Sequence, residues 1–128
     1  MTYYFNKTVA GPFEAVIDRV KAAMKLEGFG VLTEIDVKAT LHQKLGLEFR
    51  PYRILGACNP SLAHKALLVE DKIGTMLPCN VIVQDLGGGQ IEVAAVNPKV
   101  AMQRVDNAAL APIAEEVAAR LEKVVRGL

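Results

Sequence analysis

Cys58 and Cys79 are the residues of this chain best suited to covalent or metal chemistry. Cys58 ends an apolar run and directly precedes Asn59-Pro60, a pair that starts helices. Its sulfur is therefore expected at the positive end of the next helix, a setting that suits a nucleophile or a soft-metal ligand. The competing reading is a buried cysteine closing a strand, because free cysteine is among the most buried residue types. Cys79 follows Pro78 and opens the alternating run Cys79, Val81, Val83, which points it into the core. If the loops that carry the two cysteines open at one sheet edge, the sulfurs form a redox pair or a two-sulfur metal site. Their spacing is neither CxxC nor a close-spaced zinc pattern, so spacing assigns no metal.

Other polar residues make weaker cases. On a helical wheel His64 lies away from the Leu62, Ala63, Ala66, Leu67 face and beside Asp71, which reads as a solvated histidine paired with acid. His42, among Lys38, Gln43 and Lys44, reads the same way. Glu34, Asp36, Lys44, Arg50 and Arg53 either line a polar cleft for a small anion or form solvated surface. Gly87 to Gly89 lacks the following helix and the Lys-Ser/Thr pair of a phosphate loop and reads as a hairpin turn. No Ser-His-Asp order, spaced carboxylate pair or aromatic-basic motif is present.

The elements that must position these residues follow from periodicity. Tyr3 to Thr8 alternates as a first strand and Gly11-Pro12 ends it. Phe13, Val16, Ile17, Val20 and Met24 share one helical face, with Pro12 at the first position and Gly28 as the C-terminal cap. Phe29 to Asp36 predicts a second strand with Val31, Thr33 and Ile35 on one side and Leu32, Glu34 and Asp36 on the other. Asp36 caps a short helix with Val37, Leu41 and Leu45 on a narrow stripe, closed by Gly46. Phe49 to Cys58 predicts a third strand, whose early part Pro51 pushes toward a sheet edge. A helix follows from Asn59-Pro60 to about Glu70, and Gly74 and Pro78 frame a loop. Cys79 to Gln84 and Ile91 to Ala95 form a hairpin across the three glycines. A short helix or turn spans Pro98 to Arg104, and the main C-terminal helix starts near Ala111 because Pro112 fits only its first turn. The order predicts one domain over residues 1–128: a two-layer α+β fold, with a mixed, mostly antiparallel five-stranded sheet and helices packed on one face.

Composition narrows the function classes. The chain has 128 residues, 52% hydrophobic and 23% charged, which excludes disorder and matches one core. Fifteen basic and fourteen acidic residues leave a net charge of +1, which provides no field for steering nucleic acid or anionic lipid. No apolar run approaches the ~18 residues of a membrane span. Two cysteines and an N-terminus, Met1 to Val9, without a basic start and apolar middle predict a cytoplasmic protein with reduced thiols.

The runs Tyr52-Arg53-Ile54-Leu55-Gly56-Ala57-Cys58-Asn59-Pro60, Leu62-Ala63-His64-Lys65-Ala66-Leu67 and Leu77-Pro78-Cys79-Asn80-Val81 resemble the domain of unknown function 302 family of bacteria and archaea. Asp36 to Leu41, Lys44-Leu45-Gly46 and Asn97-Pro98 extend the resemblance over nearly the whole chain. It implies a small α+β fold that commonly forms homodimers, and a family without an established activity, some of whose members are associated with sulfur metabolism. It marks Asp36, Lys44, Tyr52, Cys58, Asn59, Pro60, His64, Pro78, Cys79 and Asn80 as motif positions.

The leading expectation is a non-catalytic domain that binds a small ligand or partner as a homodimer. The ligand is a small anion at a shallow pocket where the Asn59 helix start meets Asn80, helped by Lys44 and Arg53. The alternative is a thiol-based redox or sulfur-carrier protein using Cys58 with Cys79. A further alternative is metal or haem binding through those cysteines or a histidine; no cofactor, nucleic acid or membrane is otherwise expected.

Overall fold

Two periodicities build the molecule. Alternation sends Cys79, Val81 and Val83, and Ile91, Val93 and Ala95, to one side of a sheet, and helical spacing gives Val16, Val20 and Met24, and Leu121 and Val125, a stripe to lay on it. The structure, a computed structural model describing residues 2–128, has strands β1 (Tyr4–Ala10), β2 (Gly30–Asp36), β3 (Tyr52–Cys58), β4 (Cys79–Gly87) and β5 (Gln90–Val96). Its helices are α1 (Phe13–Leu26), α2 (Val37–Leu45), α3 (Pro60–Val69), α4 (Pro98–Ala101) and α5 (Ala111–Arg126). The α+β architecture is as expected.

The sheet order is β1-β5-β4-β3-β2, and every neighbouring pair is antiparallel. The sheet is therefore not mixed. The crossover through α1 joins the two edge strands, which never pair, so no parallel ladder arises. Helices α1 and α5 cover one face and form the main core with Leu55, Ala57 and Phe29. Lys7 of β1 donates from Nζ to the carbonyls of Arg126, at 3.0 Å, and Leu128, which ties the first strand to the end of α5. A second cluster, Ala66, Ile73 and Leu110, lies beneath α3.

Three local expectations change. Pro51 precedes β3 rather than weakening it, and β3 is interior, between β2 and β4. A bulge between Val31 and Thr33 shifts the phase of β2, so that Glu34 pairs with Leu55 and Asp36 with Arg53, on the face of Val31. The loop before Cys79 is largely a 3-10 turn, Asp71–Met76. Gly87, Gly88 and Gly89 all have positive φ, which explains three glycines at the hairpin.

On the other face of the sheet Tyr4, Tyr52, Ile54, Ile82, Ala94 and Val96 are half-buried. A polar ladder crosses it: Asn6 donates to Glu92 at 2.9 Å, Gln84 to Glu92 at 2.8 Å, and Arg50 to Gln84 at 2.7 Å.

Candidate functional site

The end of β3, the start of β4 and helices α3 and α5 enclose an apolar cavity of about 250 Å³. Cys58 and Cys79 are both in its wall. Ala57 pairs with Cys79 across β3 and β4, so Cys58, one residue past that pair at the end of β3, is a close backbone neighbour of Cys79, although strict alternation assigns their side chains to opposite faces of the sheet. From the spacing of cross-strand partners their Cα atoms are about 6 Å apart. Both thiols are free.

The wall grades from covered to open. Phe29, Ala57 and Cys79 are buried, whereas Cys58 and Pro78 are half-buried and Leu32 is 69% exposed. Cys58 thus belongs to the accessible part and Cys79 to the covered part. Burial, with a smaller contribution from neighbouring Cys58, pushes the Cys79 thiol up to about 11, so it is a neutral S–H at physiological pH. Pro78 stands over Gly56, where a Cβ would come within 2.8 Å of its ring and collide with Thr33. That close approach requires glycine at position 56.

Among the described residues no charged side chain lines the cavity, and Asn59 is its one amide. That amide is already engaged: Oδ1 accepts from the Leu62 N–H at 3.3 Å, capping α3, and Nδ2 donates to the Glu27 carbonyl at 3.5 Å. Pro60 occupies the first turn of α3. Phe29, Met102 and the start of α5, including Ile113, complete the wall. Met102 and Ile113 escaped the sequence reading because they come from segments remote in the chain and carry no motif.

The other sequence-derived candidates are not brought to this cavity. Asn80 is exposed and lies with Tyr52 and Tyr4 along a separate hollow on the other sheet face, since it alternates with Cys79. Lys44 is exposed at the end of α2. Arg53 is held at 2.6 Å by Glu34, at 3.1 Å by Glu14 and at 3.8 Å by Asp36. Lys21 also pairs with Glu34 at 2.7 Å, and its hydrogen bond, then that of Arg53, lowers the Glu34 carboxyl below its usual value. Arg53 therefore faces an acidic surrounding that leaves no charge free for an anion. Asp36 accepts from the Ala39 N–H at 2.9 Å as the cap of α2. His64 is exposed, and among the described residues no acid pairs with it, because Asp71 pairs with Lys72 at 3.3 Å. His42 does reach an acid, Glu48, at 3.9 Å. Among the described residues no three His, Cys, Asp or Glu side chains gather as a metal-binding group, and no helix is long and apolar enough to cross a membrane.

Comparison with known proteins places the chain. No curated protein matches it. A solved structure, the crystal structure of an uncharacterized conserved protein DUF302 from Bacillus stearothermophilus, is 29% identical, with a TM-score of 0.90 over 98% of each chain. The family model described as domain of unknown function DUF302 matches residues 5–128, and the chain belongs to that family.

Proposed function

We propose that the domain binds a small, neutral, apolar ligand in the cavity beneath α3. The observation that carries this reading is a cavity of about 250 Å³ without a charged side chain and with its one amide already bonded. Scaled from the 150 Å³ cavity that holds benzene, it takes roughly ten heavy atoms. The anion expected from Asn59, Asn80, Lys44 and Arg53 finds no such assembly, so the ligand class moves from charged to apolar. Each buried CH₂ contributes about 0.8 kcal/mol, or about 6 kcal/mol for an eight-carbon chain, and association entropy offsets ~4 kcal/mol or more. The remainder of about 2 kcal/mol corresponds to a Kd in the tens of millimolar for a free eight-carbon chain. The chain has no Trp, so the fluorescence of naphthalene, a ten-carbon probe, is directly readable. Saturable binding that Ala63→Leu weakens supports the reading; a wild-type protein that leaves the probe spectrum unchanged overturns it.

A second reading, a thiol-based redox or sulfur-carrier role, is favoured by the two free thiols in one wall. Here Cys58 reacts and Cys79, kept protonated, supports it, which suits a reducing cytoplasm. Iodoacetamide at neutral pH should then alkylate Cys58 faster than an unstructured thiol; equal or slower labelling ends this reading. The uncovered sheet face, with its apolar centre and polar ladder, is the surface we assign to a second copy in a homodimer. Five strands about 4.8 Å apart and some seven residues long span roughly 500 Å² in projection, more along the side-chain relief. That is of the order of the ~800 Å² each partner contributes to a standard interface.

A further inference from the structure

We propose that Cys58 is a site of S-acylation, accepting a medium-chain acyl group from a soluble acyl thioester and seating the chain in the apolar cavity. This rests on the apolar-ligand reading and adds to it a covalent bond and a substrate class.

Three observations converge on it. The cavity is graded: its covered part is hydrocarbon plus the neutral Cys79 thiol, and its partly exposed part includes Cys58, Pro78 and the largely exposed Leu32. An amphipathic donor enters such a space chain first, which leaves its polar thioester at the accessible part, beside Cys58. The volume of about 250 Å³ admits roughly ten heavy atoms, which corresponds to an eight- to ten-carbon acyl group and excludes a long one. Cys58 also directly precedes the ten-residue helix α3, the positive end of whose dipole favours negative charge developing on a nearby carbonyl oxygen, although Pro60 has no N–H and the Leu62 N–H is taken by Asn59. Cys79 does not compete, because burial keeps it protonated.

The step balances without an oxidant or reductant. Cys58 Sγ forms a bond to the acyl carbonyl carbon, the carbon–sulfur bond of the donor breaks, and the departing thiolate takes up the proton that Cys58 gave up. One thioester replaces another, so the exchange is close to thermoneutral, and burial of the chain sets its direction. The same bond retains a ligand that the cavity by itself holds weakly.

Incubation of the full chain with octanoyl-coenzyme A or acetyl-coenzyme A, followed by intact-mass measurement and peptide mapping, tests the proposal. The expected result is one octanoyl adduct per chain, mapped to Cys58, released by neutral hydroxylamine, and formed at least tenfold faster than the acetyl adduct. Cys58→Ser should abolish the adduct, Cys79→Ser should retain it, and Ala63→Leu should slow octanoylation while leaving acetylation unchanged. An adduct mapped to Cys79 or to lysine, or equal rates with the two donors, overturns the proposal. Peptide mapping of the wild-type chain keeps the test decisive if a variant misfolds. No octanoyl adduct on a protein that still binds naphthalene overturns the acylation alone. Loss of naphthalene binding together with acylation overturns the ligand reading as well.

Discussion

Burial raises the Cys79 thiol to about 11, with Cys58 adding to the effect, while the same residue type twenty-one positions earlier stands partly open. The raised value has a consequence for stability. An unfolded cysteine titrates near 8.5, so in alkali the unfolded chain gives up this proton first. The contribution is complete below the unfolded pKa and is lost as pH rises through the folded one, a window from about 9 to about 11. Across it the wild type should lose on the order of 2 kcal/mol more than Cys79→Ala, whose lower baseline reflects lost packing. Urea unfolding at pH 7.5, 9 and 10.5 measures this; parallel pH profiles for the two proteins would contradict it. Glu34 works with the opposite sign, since Lys21 and Arg53 hold its carboxyl down and favour the folded state above the usual carboxylate range. At this scale the sequence identified the candidate thiols. Alternation with Val81 and Val83 pointed Cys79 into the core, where it lies, but whether Cys58 was open depended on what covers it and was not legible.

Helix starts are the most legible elements. Asp36, Asn59, Asn97 and Asn107 each turn a side-chain oxygen onto a backbone N–H two or three residues on, and two of them are followed by proline at the first turn. Such caps act within a few residues, so type and order suffice to read them. Asn59 does more than cap, since it also donates to the Glu27 carbonyl at the end of α1. Asn59→Ala should cost about 1–2 kcal/mol, a fall in Tm of roughly 4–8 °C or more. Asn59→Asp keeps the acceptor for Leu62 but loses the donor and introduces a poorly solvated charge, so it should not restore wild-type stability. Thermal unfolding of both variants by circular dichroism checks this, and a Tm unchanged in Asn59→Ala would deny the cap its role. The bulge in β2 was not legible, because it inserts a residue only when β3 is present to be mismatched, and it alone brings Glu34 round to Arg53.

At the scale of the molecule, α1 and α5 cover one face of the sheet, and the other is the face proposed above to join two copies. If that face joins two copies, light scattering should give twice the chain mass, and Ile82→Asp, at its centre between Ile54 and Ala94, should give the monomer with an unchanged far-ultraviolet spectrum. A monomeric wild type at 100-micromolar order would remove the assignment. The cavity also belongs to this scale, since its wall draws on residues from Phe29 to Val117.

By itself the sequence determined what local spacing controls: the α1 stripe, the Asp36 and Asn59 caps, the glycine hairpin, and the α+β class that their order implies. It also placed a cysteine at each of two strand ends. Only the tertiary structure decided that β3 and β4 pair with Ala57 opposite Cys79, that both cysteines line one apolar cavity, and that Arg53 is enclosed by carboxylates. Periodicity and capping act over one or two helical turns and are written in consecutive residues. Strand register, cavity walls and ion clusters join segments separated by tens of residues, and no local pattern encodes which of them meet.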